Sequence, residues 1–304
     1  MNFTNTKRRL VLLFENEGEY RYKRISEEAD RMSLPILPIN IHKTVLSQEN
    51  IFFPQEKIAF NETDIFWALS NASINHALER FLELHHFPIW PSADSIKLSD
   101  KFYSNAFFSS IGIPTPKTCL ISSLEMLDQA INIIGGFPLI VKKKLSTKGQ
   151  FVELVYSKED IISFISTSEK LQVDIPENKS RIRRCDYILQ EYISESFGVD
   201  FRVLCLNGNV LGVIKRSNKT CFKSNISLGG VAEHIETDPE LEHLAKKVCK
   251  NANLFYAGID FVKGKDGYMA IEINTSAQFT GFEKVTKINV AKNILGELLA
   301  KSSS

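Results

Sequence analysis

The residues best spaced to do chemistry lie in two short segments, Gly258-Ile-Asp-Phe-Val262 and Tyr268-Met-Ala-Ile-Glu-Ile-Asn274. Side chains alternate between the two faces of a strand. If these segments form a hairpin in which Val262 faces Tyr268, Asp260 lies opposite Ala270 and shares its face with Glu272 and Asn274. Ile259, Phe261, Ile271 and Ile273 then take the other face, which suits a core and supports that register. Two carboxylates and an amide oxygen come together with no lysine or arginine on their face of the hairpin. Like charges across a sheet repel, and a divalent cation reverses the sign. An all-oxygen set suits magnesium or manganese, with phosphate oxygens completing the shell. A half-exposed strand with solvated polar residues shows the same alternation.

Two further groups carry chemical potential. Phe137-Pro-Leu-Ile-Val-Lys142 ends a β-branched strand on a lysine, and Ser146-Thr-Lys-Gly149 follows with hydroxyls, an ammonium and a glycine. Such a lysine can point into a cleft toward phosphate, although Lys142-Lys-Lys144 also reads as a solvated charge run. Glu191-Tyr192 ends one strand and Asp200 begins the next, a pattern that is also ordinary strand-edge polarity. Neither Gly-x-x-x-x-Gly-Lys-Ser/Thr nor Gly-x-Gly-x-x-Gly occurs, which disfavours P-loop kinases and ordinary dinucleotide dehydrogenases.

These residues need elements to hold them. Leu10–Phe14 reads as a buried strand, followed by a helix to Arg31, an extended Pro35–Ile39, a short strand at Asp64–Trp67 and a helix over Asn71–Leu84. Alternating strands and helices make the first ~95 residues a small α/β layer. Ser99–Ile111 reads as a helix ended by Gly112, Pro114 and Pro116. Ser122-Ser-Leu-Glu125 and Ser157-Lys-Glu-Asp160 read as capping boxes, with strands at Phe137–Lys142 and Phe151–Tyr156 between them. Thr167–Arg184 reads as an exposed polar loop. Asn207-Gly208 joins Phe201–Leu206 to Val210–Lys215 as a hairpin. Asp238-Pro239 opens a helix to about Asn253, and Asn289–Leu299 forms the last helix.

The chain has 304 residues, 43% apolar and 24% charged, with Lys+Arg 37, Asp+Glu 36 and a formal net charge of +1. This is an ordinary globular composition of two or so domains. The charge balance gives no basic footprint for direct nucleic-acid binding. No apolar run approaches the ~20 residues a membrane helix needs, and the polar, then basic, N-terminus lacks an apolar signal core. Cys119, Cys185, Cys205, Cys221 and Cys249 are odd in number and widely spaced. They support neither a zinc site nor a disulfide framework, so a reduced, cytoplasmic protein is expected.

Taken in chain order, these residues resemble the ATP-grasp superfamily and, within it, the RimK-like carboxylate–amine (α-L-glutamate) ligases. The resemblance runs from Asp100-Lys101 and Gly112-Ile-Pro-Thr-Pro116 through Phe137–Lys142, Gln190-Glu-Tyr-Ile193 and Gly198-Val-Asp-Phe-Arg202. It continues through Phe222-Lys-Ser-Asn225, Gly229-Gly230, Ala257–Asp260 and Glu272-Ile-Asn274 to Gly281-Phe-Glu-Lys284. It implies an N-terminal α/β domain over 1–95, then an α+β ATP-grasp fold over 96–304. In that fold a lid lobe (about 115–186) and a C-terminal lobe (about 187–304) clamp ATP. It further implies that Lys101 and Lys142 contact phosphates, that Glu191-Tyr192 lines the adenine slot and that Asp200 reaches the ribose. Lys223, Ser224 and Asn225 would approach the phosphates, and Asp260, Glu272 and Asn274 would hold two magnesium or manganese ions. Three departures stand out. Leu145–Phe151 has less glycine than the family's lid usually carries, Lys223 stands where arginine is usual, and Thr275-Ser-Ala-Gln-Phe279 replaces the frequent Ala-Ser-Pro-Gly.

The reaction implied by the resemblance has two steps. A carboxylate attacks the γ-phosphate to give an acyl phosphate and ADP, and an amine then displaces phosphate. Arg202 and Arg216 are the candidates for stabilising the acyl phosphate. The expected partners are an amino acid, such as glutamate, and a peptide or protein carboxylate. The alternatives are a small-molecule or carrier-linked substrate, as in LysX-like relatives, and an ATP-binding module without catalysis. Homo-oligomerisation is left open.

Overall fold

The computed structural model describes residues 8–53, 57–69, 73–146, 149–173, 187–226 and 229–301. The run Leu10–Phe14 forms β1, buried at every position, as expected of a central parallel strand covered on both faces. It pairs in parallel with β2 (Ile36–Asn40) and β5 (Ile65–Ala68), and β6 (Ile89–Trp90) completes the order β2-β1-β5-β6. A short hairpin, β3 (Val45–Leu46) and β4 (Ile51–Phe52), lies between. Helices α1 (Tyr20–Arg31), α2 (Ser73–Leu84) and α3 (Ala93–Ile96) make the connections.

Helix α4 (Lys101–Ser110) leads into the next layer. Asp100 caps it, its Oδ1 accepting from Phe102 N at 2.9 Å and Tyr103 N at 3.1 Å. The four strands β7 (Thr118–Ile121), β8 (Leu139–Lys143), β9 (Val152–Val155) and β10 (Tyr187–Glu191) pair antiparallel in the order β7-β10-β8-β9. Helices α5 (Leu127–Ile134) and α6 (Lys158–Val173) cover this sheet over a core of its own. The Ser157 box forms as expected, Oγ accepting from Asp160 N while Asp160 Oδ2 accepts from Ser157 N. Past the box expected at 122–125 the chain first makes a 3-10 turn, Leu124–Met126, to which Ser123 gives no side-chain cap, and α5 begins at Leu127. The polar segment read as a loop from Thr167 is helical to Val173, and its remainder to residue 184 lies outside the described residues.

The second large sheet contains β11 (Val199–Leu206), β12 (Asn209–Ser217), β13 (Val231–Ile235), β14 (Tyr256–Gly264) and β15 (Gly267–Asn274). All pair antiparallel, in the order β13-β12-β11-β14-β15. Helix α7 (Pro239–Asn251), capped by Asp238, packs on one face with α4. The other face is half covered. Leu204, Leu206 and Ile214 join a core with Leu10, Leu12 and Trp67 of the N-terminal sheet and with α8 (Thr280–Thr286) and α9 (Val290–Lys301). The rest of that face fronts the lid sheet, and the charged residues collect there.

Candidate active site

The register of β14 and β15 differs from the sequence-based one. Lys263 faces Tyr268 and Phe261 faces Ala270, and a bulge then sets Asp260 opposite Glu272 and Gly258 opposite Asn274. The tight turn shifts the register by one residue, and the extra residue, Ile271, shifts it by a second beyond Phe261. A bulge lets two neighbours on one strand share a face, so Ala270 turns into the core and Ile271 stays half-buried outside it. Asp260, Glu272 and Asn274 still share one face.

The neighbouring hairpin adds what the isolated one lacks. Arg202 on β11 is registered with Asp260, and Asp200 with Arg216 on β12. Arg202 donates from Nε and Nη2 to the Asp260 oxygens at 2.7 and 2.6 Å. Arg216 donates twice to Asp200 at 2.6 Å, and its Nη2 lies 3.0 Å from Asp260 Oδ2. Ser224 Oγ donates to Asp200 as well. Burial by itself would raise the Asp260 pKa, but the two guanidiniums outweigh it and hold the carboxyl at about 2. The absence of arginine beside the carboxylates is therefore true of the hairpin and false of the sheet.

Two lysines face this row. Lys101, at the start of α4 and 4% exposed, donates to Ser146 O at 2.7 Å and lies 3.9 Å from Glu272 Oε2. Lys142, on β8 and 8% exposed, donates to Gln190 Oε1 at 2.6 Å. Burial lowers its pKa to about 8; Lys101 acts in the same direction, and the carboxylates of Glu272 and Asp260 oppose. The lysine run thus divides. Lys142 is in the cleft, Lys143 sits over the Phe151 ring, and Lys144 pairs with Asp100 at 3.3 Å. Lys101, Lys142, Arg202 and Arg216 against Asp200, Asp260 and Glu272 leave the cleft cationic, which suits a polyphosphate.

The remaining site candidates are less tightly gathered. Glu191 Oε2 accepts from Lys117 N at 3.1 Å where the lid joins the second sheet, and half-buried Tyr192 follows it. Half-buried Asn225 accepts from Gly230 N through its backbone. Lys223 does not join Lys142. It sits over the Phe222 ring and lines a groove of about 640 Å³ along the lid with Phe151 and Phe164.

Sequence reasoning missed three kinds of residue. Asn105 and Gln190 form a buried amide pair behind Lys142. Arg21 on α1 donates to Ser276 O and Oγ at 2.6 Å and to Leu69 O, tying the loop after Asn274 to the N-terminal sheet. Glu79 is fully buried, and its carboxyl has no partner among the described residues. Gln190 opens a segment of the resemblance but was given no role, and Asn105, Arg21 and Glu79 lie in no chemically suggestive spacing.

Asp260, Glu272 and Asn274 fit a magnesium or manganese site completed by phosphate oxygens. A carboxylate offers about four lone-pair positions, and the arginines use three of those on Asp260. Glu272 has only Lys101, at 3.9 Å, and the Asn274 amide lies 3.5 Å from Asp260. Such ions are commonly held by one or two carboxylates plus substrate phosphates.

Comparison with known proteins agrees with this geometry. The RimK-like ATP-grasp domain model matches residues 98–298. A probable alpha-L-glutamate ligase of Legionella pneumophila is 27% identical over 300 residues, covering 94% of each chain. The ribosomal protein bS6–L-glutamate ligase of Escherichia coli is 30% identical over 220 residues, 72% of this chain and 69% of that one. Among solved structures, a RimK domain ATP-grasp protein from Sphaerobacter thermophilus superposes with a TM-score of 0.71 at 17% identity, covering 95% of this chain and 98% of that one. The ATP-grasp ligase PsnB, complexed with a precursor variant, Mg and ADP, gives 0.70 at 17% identity over 99% and 100% of the two chains. The matched stretch holds both lysines, the lid and the whole charged row, and on that ground the chain belongs to the RimK-like ATP-grasp family, a family of ATP-dependent ligases that form C–N bonds.

Proposed function

We propose that this ligase joins an amino acid, glutamate foremost, to the carboxylate of a peptide or protein through an acyl phosphate. The observation that carries the reading is the row Asp200, Arg216, Asp260, Arg202 on one sheet face, fronted by Lys101 and Lys142. The glutamate-ligase relatives supply the amine.

Lys101 and Lys142 meet the phosphates of ATP, and the Glu191-Tyr192 turn borders the adenine slot. Ser224 and Asn225 approach from the loop after β12. Arg216 and Ser224 use three of the lone-pair positions on Asp200, so we assign Asp200 to orienting Arg216 and, through the position left, to the ribose. Asp260, Glu272 and Asn274 hold magnesium or manganese, which when bound neutralises charge on the phosphate oxygens. The acceptor carboxylate attacks the γ-phosphorus, ADP leaves, and Arg202 and Arg216 stabilise the acyl phosphate oxygens. The amine attacks the acyl carbon and phosphate departs. Fixed cations contribute because they are already aligned, with no reorganisation at the moment of reaction.

The test is ADP release from Mg-ATP and L-glutamate, with peptides ending in glutamate and with single amino acids as alternative acceptors. Release and glutamate addition with a peptide support the reading. Release with a free amino acid alone would replace it with a small-molecule ligase. Binding of Mg-ATP without release for any acceptor would leave a binding module. In Glu272→Gln, turnover should fall by several orders of magnitude while folding survives, since glutamine keeps the shape and the ion pair lost, with Lys101, spans 3.9 Å; wild-type turnover would remove Glu272 from the metal site.

A further inference from the structure

Lys142 does not reach the cleft unaided. Its Nζ donates to Gln190 Oε1 at 2.6 Å on the neighbouring strand β10. The Gln190 Nε2 donates onward to Asn105 Oδ1 at 3.0 Å and to Thr118 Oγ1 at 2.9 Å. Asn105 in turn donates to Lys101 O at 2.6 Å and to Ile271 O, at the bulge, at 3.2 Å. Thr115 Oγ1, in the segment between α4 and β7, donates to Asn105 Oδ1 at 2.6 Å and lies 2.8 Å from Ala270 O. Gln190 is 2% and Asn105 3% exposed. One chain of hydrogen bonds therefore joins the lid sheet, the start of α4 and the bulged strand β15 to the ammonium of Lys142.

The geometry points to Gln190 and Asn105 as positioning residues that orient Lys142 and favour its charged form, so that nucleotide affinity depends on two amides that touch no nucleotide. This rests on the reading of the cleft as the nucleotide site. A buried ammonium pays for desolvation unless it is hydrogen-bonded, and a hydrogen bond accepted from the charged form favours that form. Gln190 supplies that bond, and Asn105 and Thr118 fix which end of the Gln190 amide faces the lysine. An amide free to turn would present its NH2 group to the ammonium. The charged groups that act on Lys142 are Glu272 on β15, Asp260 on β14 and Lys101 on α4. None of them is altered when Gln190 is replaced.

The experiment is calorimetric titration of the full chain with Mg-ADP near pH 6 and near pH 8.5, for wild type, Gln190→Met and Thr118→Val. Near pH 6 Lys142 is protonated in every protein, and the variants should lose only the smaller part of affinity that orientation supplies, about twofold. Near pH 8.5 Gln190→Met should bind about tenfold more weakly, because the lysine that has lost its acceptor is neutral in a larger fraction of molecules. Thr118→Val keeps both Gln190 and Lys142 and should weaken binding about threefold near pH 8.5; it carries the comparison by itself if Gln190→Met does not fold. A purely structural role would lower affinity equally at both pH values, and that flat ratio, or no change at all, overturns the proposal. Wild type that binds no Mg-ADP at either pH would overturn the reading of the cleft instead.

Discussion

Asp260 shows how one residue changes meaning with its neighbours. Seen in its hairpin it is a carboxylate repelled by Glu272; in the sheet it is the shared acceptor of two arginines. Its carboxyl is held at about 2, below the ordinary 3.8. A depressed carboxylate contributes stability that is present above its unfolded value and lost as pH falls through the folded one. Wild type should therefore lose stability between about pH 4 and pH 2 more steeply than Asp260→Asn. At neutral pH that variant should be less stable by about 1.5–3 kcal/mol, because Arg202 loses the carboxylate it pairs with while Arg216 keeps Asp200. Urea midpoints across that range decide it, and equal slopes would refute the assignment. Glu79 runs the other way. Burial and, secondarily, Glu83 push its carboxyl from 4.5 up to about 9. Across that window the folded state binds more protons than the unfolded, so stability falls as pH rises. Glu79→Gln should flatten the loss of stability between pH 6 and pH 9. A variant with the wild-type slope would show that Glu79 is ionised and paired.

At the scale of elements, two local devices set the site. The bulge at Ile271 lets β15 place Ala270 and Tyr268 in the core and still present Glu272 and Asn274 to the cleft. A strand of strict alternation would have sent Ala270 to the cleft and Ile271 to the core. The second device is the loop after Asn274. Arg21 holds Ser276 to Leu69, Gln278 Nε2 donates to Glu19 at 2.8 Å, and Tyr256 OH donates to Ala277 O at 2.9 Å. This segment, one of the three departures from the family's pattern, is thus fixed by residues of the N-terminal layer and of β14. Arg21→Ala removes charge-assisted bonds to a buried carbonyl and hydroxyl and should lower stability by about 1.5–3 kcal/mol. Under the proposed function it should also raise KM for the acceptor while leaving Mg-ADP affinity as in wild type. Unchanged urea midpoints would show that the loop holds itself.

For the whole molecule, the three sheets are not equally independent. The lid sheet has its own core of Leu127, Leu139, Val141, Ile161 and Leu189. The N-terminal sheet does not close its core alone: Leu10, Leu12 and Trp67 pack with Leu206, Phe279, Phe282 and Ile294. A fragment of residues 96–304 would expose that surface and is expected to be insoluble, despite containing nearly all of the family match. A soluble, cooperatively melting fragment would show that the shared core is dispensable. Under the proposed function Mg-ADP binds the folded chain and not the unfolded one. At a hundred times its Kd it should add about 2.7 kcal/mol to wild-type stability, and a chelator should remove most of that gain.

The sequence alone was enough for the parts governed by local rules. The β-branched and apolar runs specified strands, Asn207-Gly208 specified a hairpin, Ser157 and Asp238 began helices, and the ordered motifs specified the family. They did so because strand alternation, turn dihedrals and helix capping are decided within a few residues. Tertiary structure decided the rest. Whether Asp260 meets arginine depends on which hairpin lies beside it. Whether Ile271 or Ala270 faces the cleft depends on one inserted residue in a strand pair. Whether Gln190 is a surface amide or the acceptor for Lys142 depends on α4 arriving from 85 positions away to supply Asn105. The first and third are contacts between segments remote in the chain, and the bulge, within one hairpin, is held from outside by Ala270 N donating to Pro114 O. Local preferences do not encode the energy of such contacts, and they exist only once the sheets and helices have packed.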